Sequence, residues 1–284
     1  MQTSNFTFSE DWIKGIFKRY SELNIKNLSG IYFWEDNNFL KCQHFFDFDI
    51  SDNSLEMLEK YIDRGISVKF SYLDKSKLFF KLVSWCKKHK YNFRIIDQWK
   101  APRLDLSKSS MTTHEYLSTN SNSQIKRNYK EYLKNKDNYN IVHGTEESVS
   151  KLWKDVLLID SGSWKGQKSC DMQSLNREDL QYIFYLFNNI DNASLSVLYK
   201  DSNPLAYSLM FRANIKSMWY AVKWGASDEG RKEKAGFYCL FNHLENIYNN
   251  INELNIDFWG RRSQTYDYLK NDEIVRYHVE IDSR

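Results

Sequence analysis

Ser217-Met-Trp-Tyr-Ala-Val-Lys-Trp-Gly-Ala-Ser-Asp-Glu-Gly-Arg-Lys-Glu-Lys-Ala-Gly236 decides how the rest of the chain is read. Residues 217–224 read as a strand, and a helix follows from Lys234 to Asn249. A second strand, Ile256 to Trp259, comes next, so strand, helix and strand succeed one another as in an α/β layer. Between the first strand and the helix three cations gather: Arg231, Lys232 and Lys234. Free amides at a helix start, the helix dipole and nearby cations together make a cradle for an anion. A solvated basic loop is the plainer reading of the same letters.

The pattern continues outward in both directions. Toward the N-terminus of this stretch lie a basic helix Gln124 to Asn135, a strand Tyr139 to Val142 and a helix Glu146 to Ile159. A helix Arg177 to Asn188 and two strands, Leu195 to Tyr199 and Leu205 to Arg212, complete the approach; Ile274 to Ile281 closes the chain as a strand. The first hundred residues alternate likewise. Ile31 to Trp34 and Phe39 to Phe46 form a hairpin, and a helix opens at Ser51 or Asp52 and closes at Gly65. Strand Ile66 to Tyr72, helix Leu78 to His89 and strand Phe93 to Ile96 follow. Between Leu106 and Ser123 the composition shifts to Ser, Thr and Asn, either as a linker or as a loop ending in a helix cap at Asn120 or Ser121. A chain of 284 residues exceeds the usual single core, so two units are expected, 1–118 and 119–284, in a mixed α/β fold.

Bulk properties remove several functions. Forty basic residues stand against 37 acidic, too even a balance for nucleic acid or an anionic membrane surface. The four cysteines (Cys42, Cys86, Cys170 and Cys239) lie far apart and read as reduced, buried thiols. Met1 to Trp12 lacks a basic region followed by an apolar run, and no stretch is long and apolar enough to span a bilayer. A cytoplasmic location is expected. The six histidines are scattered without metal-ligand spacing, so no metal is expected, and His243 reads first as a structural residue of its helix. There is no GxGxxG, GxxxxGK[ST], HExxH or GxSxG.

Two further segments could carry chemistry. Asp160-Ser161-Gly162-Ser163-Trp164-Lys165-Gly166 combines flexible backbone, an aromatic and a cation, as an active-site loop or a surface turn would. Asp257-Phe258-Trp259-Gly260-Arg261-Arg262, with Tyr266 and Lys270, gathers charge and rings at the end of a strand. Structural ion pairing is the alternative there.

From Pro102 to Ile281 the order of these pieces resembles the BioF2-like and FemAB-like branch of the GNAT acyltransferases. The resemblance rests on Ala101-Pro102-Arg103-Leu104-Asp105-Leu106, Tyr116-Leu117-Ser118 and Lys126-Arg127-Asn128-Tyr129. It continues through Ser163-Trp164-Lys165-Gly166, Asn203-Pro204-Leu205-Ala206-Tyr207, Tyr220, Gly225, Gly236, Ile256 to Gly260 and Tyr266 to Lys270. It implies a GNAT-like fold in two halves, the first degenerate. It also implies a coenzyme A thioester as acyl donor and a primary amine as acceptor. The pantetheine arm would lie along Trp219 to Trp224 where this strand parts from Ile256 to Trp259, with Trp224, Gly225, Arg231, Lys232, Lys234, Gly236 and Phe237 around the donor. The usual Arg/Gln-x-x-Gly-x-Gly/Ala turn appears here as Arg231 to Gly236 with Lys234 at the middle glycine.

The resemblance is nearest to bacterial enzymes acylating nucleotide-linked amino deoxysugars for surface polysaccharide, which places Ser163, Trp164, Lys165, Asp257, Trp259, Arg261, Tyr266 and Lys270 near the acceptor. Asp160 is the expected proton acceptor for the amine and Tyr220 the donor to the thiolate; the backbone N–H near Lys223 is expected to face the oxyanion. A homodimer is compatible with this reading. An aminoacyl-tRNA-dependent FemAB-type transferase and an inactive GNAT-like binding protein are the alternatives.

Overall fold

In this computed structural model the described residues are 25–28, 31–36, 38–43, 50–75, 77–107, 109–144, 149–163, 193–213, 218–252, 254–258 and 264–283. They fall into two units. One runs from Pro102 to Asp272; the other takes the residues up to Ala101 together with Glu273 onward.

In the second of these, β1 (Ile25–Leu28), β2 (Ile31–Asp36) and β3 (Phe39–Gln43) form an antiparallel meander. Helix α1 (Asp52–Ile62) then crosses over so that β4 (Ser67–Asp74) lies parallel to β3. Ser51 starts the helix by accepting the Ser54 N–H at 3.1 Å. Leu55, Leu58 and Ile62 recur at helical spacing and are buried, and Gly65 at φ 82° turns the chain out. Helix α2 (Lys77–His89) buries Leu78, Phe79, Leu82, Trp85 and Cys86. The sheet faces these helices with Phe33, Leu40, Val68, Phe70 and Leu73. The last strand of the chain, β11 (Asp272–Asp282), returns to pair antiparallel with β4. Sequence periodicity locates α1, α2 and β4 within two residues of their observed bounds. It underestimates β5 (Asn92–Asp105), whose exposure changes from partial before Lys100 to nearly complete burial from Ala101, so no single period describes it.

The unit from Pro102 holds the strand order β5-β10-β9-β8-β7-β6. Helix α3 (Thr113–Thr119) occupies the Ser/Thr/Asn stretch, opened by a capping box between Thr112 and Glu115. Asn122 caps α4 (Ser123–Asn135), one or two residues beyond the expected Asn120 or Ser121. Next come β6 (Asn140–Gly144), α5 (Val149–Ser161), β7 (Ala193–Lys200), β8 (Asn203–Ala213) and β9 (Met218–Ala226). Strands β6 to β9 are antiparallel neighbours. Two helices follow β9: the short α6 (Asp228–Lys232), which the sequence reading lacks, and α7 (Ala235–Ile251). The chain re-enters as β10 (Asn255–Asp257), parallel to β9, and α8 (Gln264–Leu269) precedes β11. The core lies between α7, with Tyr238, Phe241 and Leu244, α4, with Ile125, Tyr129 and Tyr132, and the sheet. The expected helix Arg177 to Asn188 lies outside the described residues.

The link from β9 to α7 is tightly built. The Ser227 N–H donates to Leu205 O at 2.9 Å, and the Ser227 side chain accepts the Gly230 N–H. A Cβ at Gly230 would stand 2.3 Å from the Leu205 carbonyl oxygen, so no larger residue fits without moving backbone. Gly230→Ala is therefore expected to lower unfolding free energy by about 1–3 kcal/mol. Urea unfolding measures this, and a loss under about 0.5 kcal/mol would show that the turn relaxes freely.

Candidate functional site

Strand β9 carries one residue more than its partner. Leu209 pairs with Lys223 and Met210 with Ala221, leaving Val222 as a bulge. The register then puts Tyr220, Lys223 and Gly225 on one face, together with Tyr207, which lies opposite Gly225. Asp257, opposite Tyr220 in the parallel ladder, joins that face. The recorded ladder between β9 and β10 is short: Ile256 with Trp219 and Asp257 with Tyr220. There β10 ends, while β9 runs on to Ala226. The expected strand runs to Trp259, and residues 259–263 lie outside the described residues.

Helix α5 delivers Asp160 to the same face, where it is fully buried. Its Oδ1 accepts the Tyr207 hydroxyl at 2.8 Å and its Oδ2 accepts Lys223 Nζ at 3.2 Å. The Asp160 carbonyl takes the Ser163 N–H and hydroxyl at 3.2 and 2.6 Å, and Gly162 O accepts the Asp228 N–H at 2.8 Å, tying this loop to α6. A buried carboxylate needs such donors, since an isolated ion in a low-dielectric interior is very unfavourable. Burial pushes the Tyr207 phenol well up, and the Asp160 charge and hydrogen bond add to this. Lys223 keeps 19% of its side chain exposed against none for Asp160, so it is the member of the pair that reaches outward. Gly225 makes room for the arrangement: a Cβ there would meet the Tyr207 ring at 2.7 Å.

Asp160 and Lys223, expected from the sequence, thus meet directly. The contact is through the Lys223 side chain rather than only its backbone N–H, and both Asp160 oxygens are already engaged. Tyr220 is buried on the same face. Tyr207 escaped the sequence reading because its place opposite Gly225 depends on pairing register. Its one signal is a tyrosine in a strand whose neighbour carries a glycine, an arrangement in which the ring covers the gap.

The opposite face is aromatic. Trp224 lies 6.1 Å from both Phe237 and Tyr266, and Tyr266 stacks on Phe258 at 4.4 Å and 16°. Burial raises the Tyr266 phenol, offset in part by a hydrogen bond from Trp224. His243 is also here, fully buried, with Nε2 2.8 Å from Ser194 Oγ and Nδ1 3.0 Å from Ser208 Oγ. Burial lowers it to about 3, the state of a neutral core histidine. Lys270 ends α8 in an ion pair with Asp267 at 3.0 Å.

At the far end of β9, Lys234 sits at φ 61° immediately before α7 and makes no side-chain cap bond. This is the left-handed conformation, which favours glycine and which Lys234 adopts here. Gly236 is buried beside Trp224 and Ala226. The cations are not all open. Lys234 Nζ is paired with Glu131, Arg231 lies 3.5 Å from Asp228, and Lys232 is exposed. Trp164, Lys165, Trp259 and Arg261, along with Cys170, lie outside the described residues. Among the described residues no group of three or more His, Cys, Asp or Glu side chains could hold a metal, and no helix is long and apolar enough to cross a membrane.

No protein-family model matches the sequence, and no curated protein matches it significantly. Solved structures do match in fold. FemX superposes with a TM-score of 0.64 at 10% identity, over 100% of this chain and 94% of that one. The C-terminal domain of a putative lysylphosphatidylglycerol synthetase from Agrobacterium fabrum gives 0.63 at 11%, over 99% and 92%. L-PGS from Bacillus licheniformis gives 0.60 at 11%, over 97% and 91%. The likeness is one of architecture: the chain has the GNAT-like mixed α/β fold that these proteins share.

Proposed function

We propose that this protein is an N-acyltransferase, moving an acyl group from a coenzyme A thioester to a primary amine. The observation that carries the reading is the bulged end of β9, with Lys223 held by a buried Asp160 on one face. An amine attacks only when neutral, because an ammonium has no lone pair. The fixed charge of Lys223 disfavours a second cation beside it, and so lowers the acceptor's proton affinity. The same ammonium, with backbone N–H groups at the bulge, faces the oxygen of the tetrahedral intermediate. Asp160 aims Lys223; Tyr220 is the proposed proton donor to the departing thiolate, and the proton shed by the attacking nitrogen, relayed through water, restores the Tyr220 hydroxyl. The start of α7, with Arg231, Lys232 and Lys234, receives the donor's pyrophosphate.

An amine on a nucleotide-linked sugar is the acceptor we favour, supported by the sequence resemblance alone. A second reading takes an aminoacyl-tRNA as donor. The full-length fold likeness to FemX and to L-PGS favours it.

Two experiments test these statements. Asp160→Asn and Lys223→Met are each expected to reduce turnover by at least about 100-fold with coenzyme A binding retained. Because the two act as one unit, the double variant should be no slower than the worse single one. Multiplicative losses would show independent roles and remove the pair from the mechanism. Calorimetric titration with coenzyme A and with tRNA separates the donors. Binding of coenzyme A, weakened at least about tenfold by Arg231→Ala with Lys234→Ala, is expected; binding of tRNA alone would overturn the thioester reading.

A further inference from the structure

Beside the start of α7 lies a groove of about 750 Å³, lined by the end of α4, Asn138 and Tyr139, the β7–β8 turn and the residues 232–234. Its lysines are occupied from within. Lys234 is bonded to Glu131 of α4. Lys200, at the end of β7, donates to Glu233 Oε1 at 2.5 Å, and the Tyr139 hydroxyl donates to Glu233 Oε2 at 2.9 Å. The two glutamates therefore stand as carboxylate oxygens on donors that converge on one cavity. Both have their acidity strengthened, first by these lysine hydrogen bonds. The pairs are half-exposed, with 36–38% of each side chain open at Lys234–Glu131 and 38% and 26% at Lys200–Glu233. Such pairs exchange partners readily, since exposed ion pairs contribute little net stability.

We propose that Lys200 and Lys234 form a two-point oxyanion site for a ligand bearing more than one phosphate, with Glu233 and Glu131 as displaceable occupants. This rests on the donor reading above, and extends it by a second phosphate subsite at Lys200 and Tyr139. Binding is an exchange: a phosphate oxygen takes each lysine, and each glutamate swings to solvent. Asp137 and Asp201 also line the groove, so four carboxylates face three lysines including Lys232. The resting groove thus holds a polyanion weakly. That weakness favours release of a spent carrier over its retention.

The test is calorimetric titration of the full chain with inorganic tripolyphosphate and with coenzyme A at low salt. Glu131→Gln and Glu233→Gln keep the side-chain shape and remove the competing charge. Each is expected to tighten tripolyphosphate by between about two- and tenfold, and Lys200→Met to weaken it by a similar factor. Equal affinity in wild type and both glutamine variants would overturn displacement. Tighter binding of spermine than of tripolyphosphate to wild type would overturn it too, making the groove a cation site. If coenzyme A binds and tripolyphosphate does not compete, the groove inference fails while the donor reading stands. If neither binds any variant, both fail. Circular dichroism of each variant verifies that it is folded.

Discussion

Across from the Leu209–Met210 bond of β8, strand β9 places three residues, Ala221 to Lys223, and the middle one has no partner. Side chains on a strand alternate, so one unpaired residue shifts every later side chain to the other face. Without Val222, Lys223 and Gly225 would face α7 and its apolar core instead of Asp160. With it, Trp219, Ala221 and Trp224 serve that core while Tyr220, Lys223 and Gly225 serve the opposite face. The bulge also accentuates local twist, and β10 ends beside it. The bulge thus decides which side chains of this strand meet Asp160.

The charge at that end is stable because it is shared. Asp160, wholly inside, accepts from Tyr207 and Lys223, while 19% of the Lys223 side chain stays exposed. Removing either partner of such a pair leaves the other uncompensated, the expensive outcome for a buried ion. Tyr207 adds a neutral donor that does not compete for the outward side. Its ring needs the space above Gly225, so a backbone without a side chain on β9 is tied to the ionic arrangement on α5. Packing and electrostatics here cannot be altered separately.

Much of this was legible in the letters where local physics decides. Helices α1, α2, α4 and α7 follow from apolar spacing over three or more turns. The turn before α7 follows from its cations and glycines, and Asp160 and Lys223 are each singled out by the loop and strand that hold them, but their pairing is not. What escaped depends on distant partners. The place of Tyr207 requires the register of β8 on β9, which a bulge sets and no local pattern announces. Helix α3 was legible in principle, since Thr112 and Glu115 stand at capping-box spacing, but its Ser and Thr content reads as loop. The partners of Lys234 and Lys200 lie 103 and 33 residues away. Sequence shows the cations and not what neutralises them.

Lys234 brings these strands of argument together. A non-glycine residue in the left-handed conformation is disfavoured by roughly 1–2 kcal/mol relative to its ordinary one, so glycine would suit the turn better on backbone grounds alone. What lysine adds is a side chain that crosses to Glu131 on α4, fastening the start of α7 to a helix it already meets through Phe241 and Tyr129. The pair offsets the backbone strain in part and places a cation where helix amides already favour anions. It also puts a carboxylate there. An anion arriving at this turn meets a position shaped for it and filled by the protein's own substitute. Its affinity is then set by the difference between two similar interactions and not by the full strength of either.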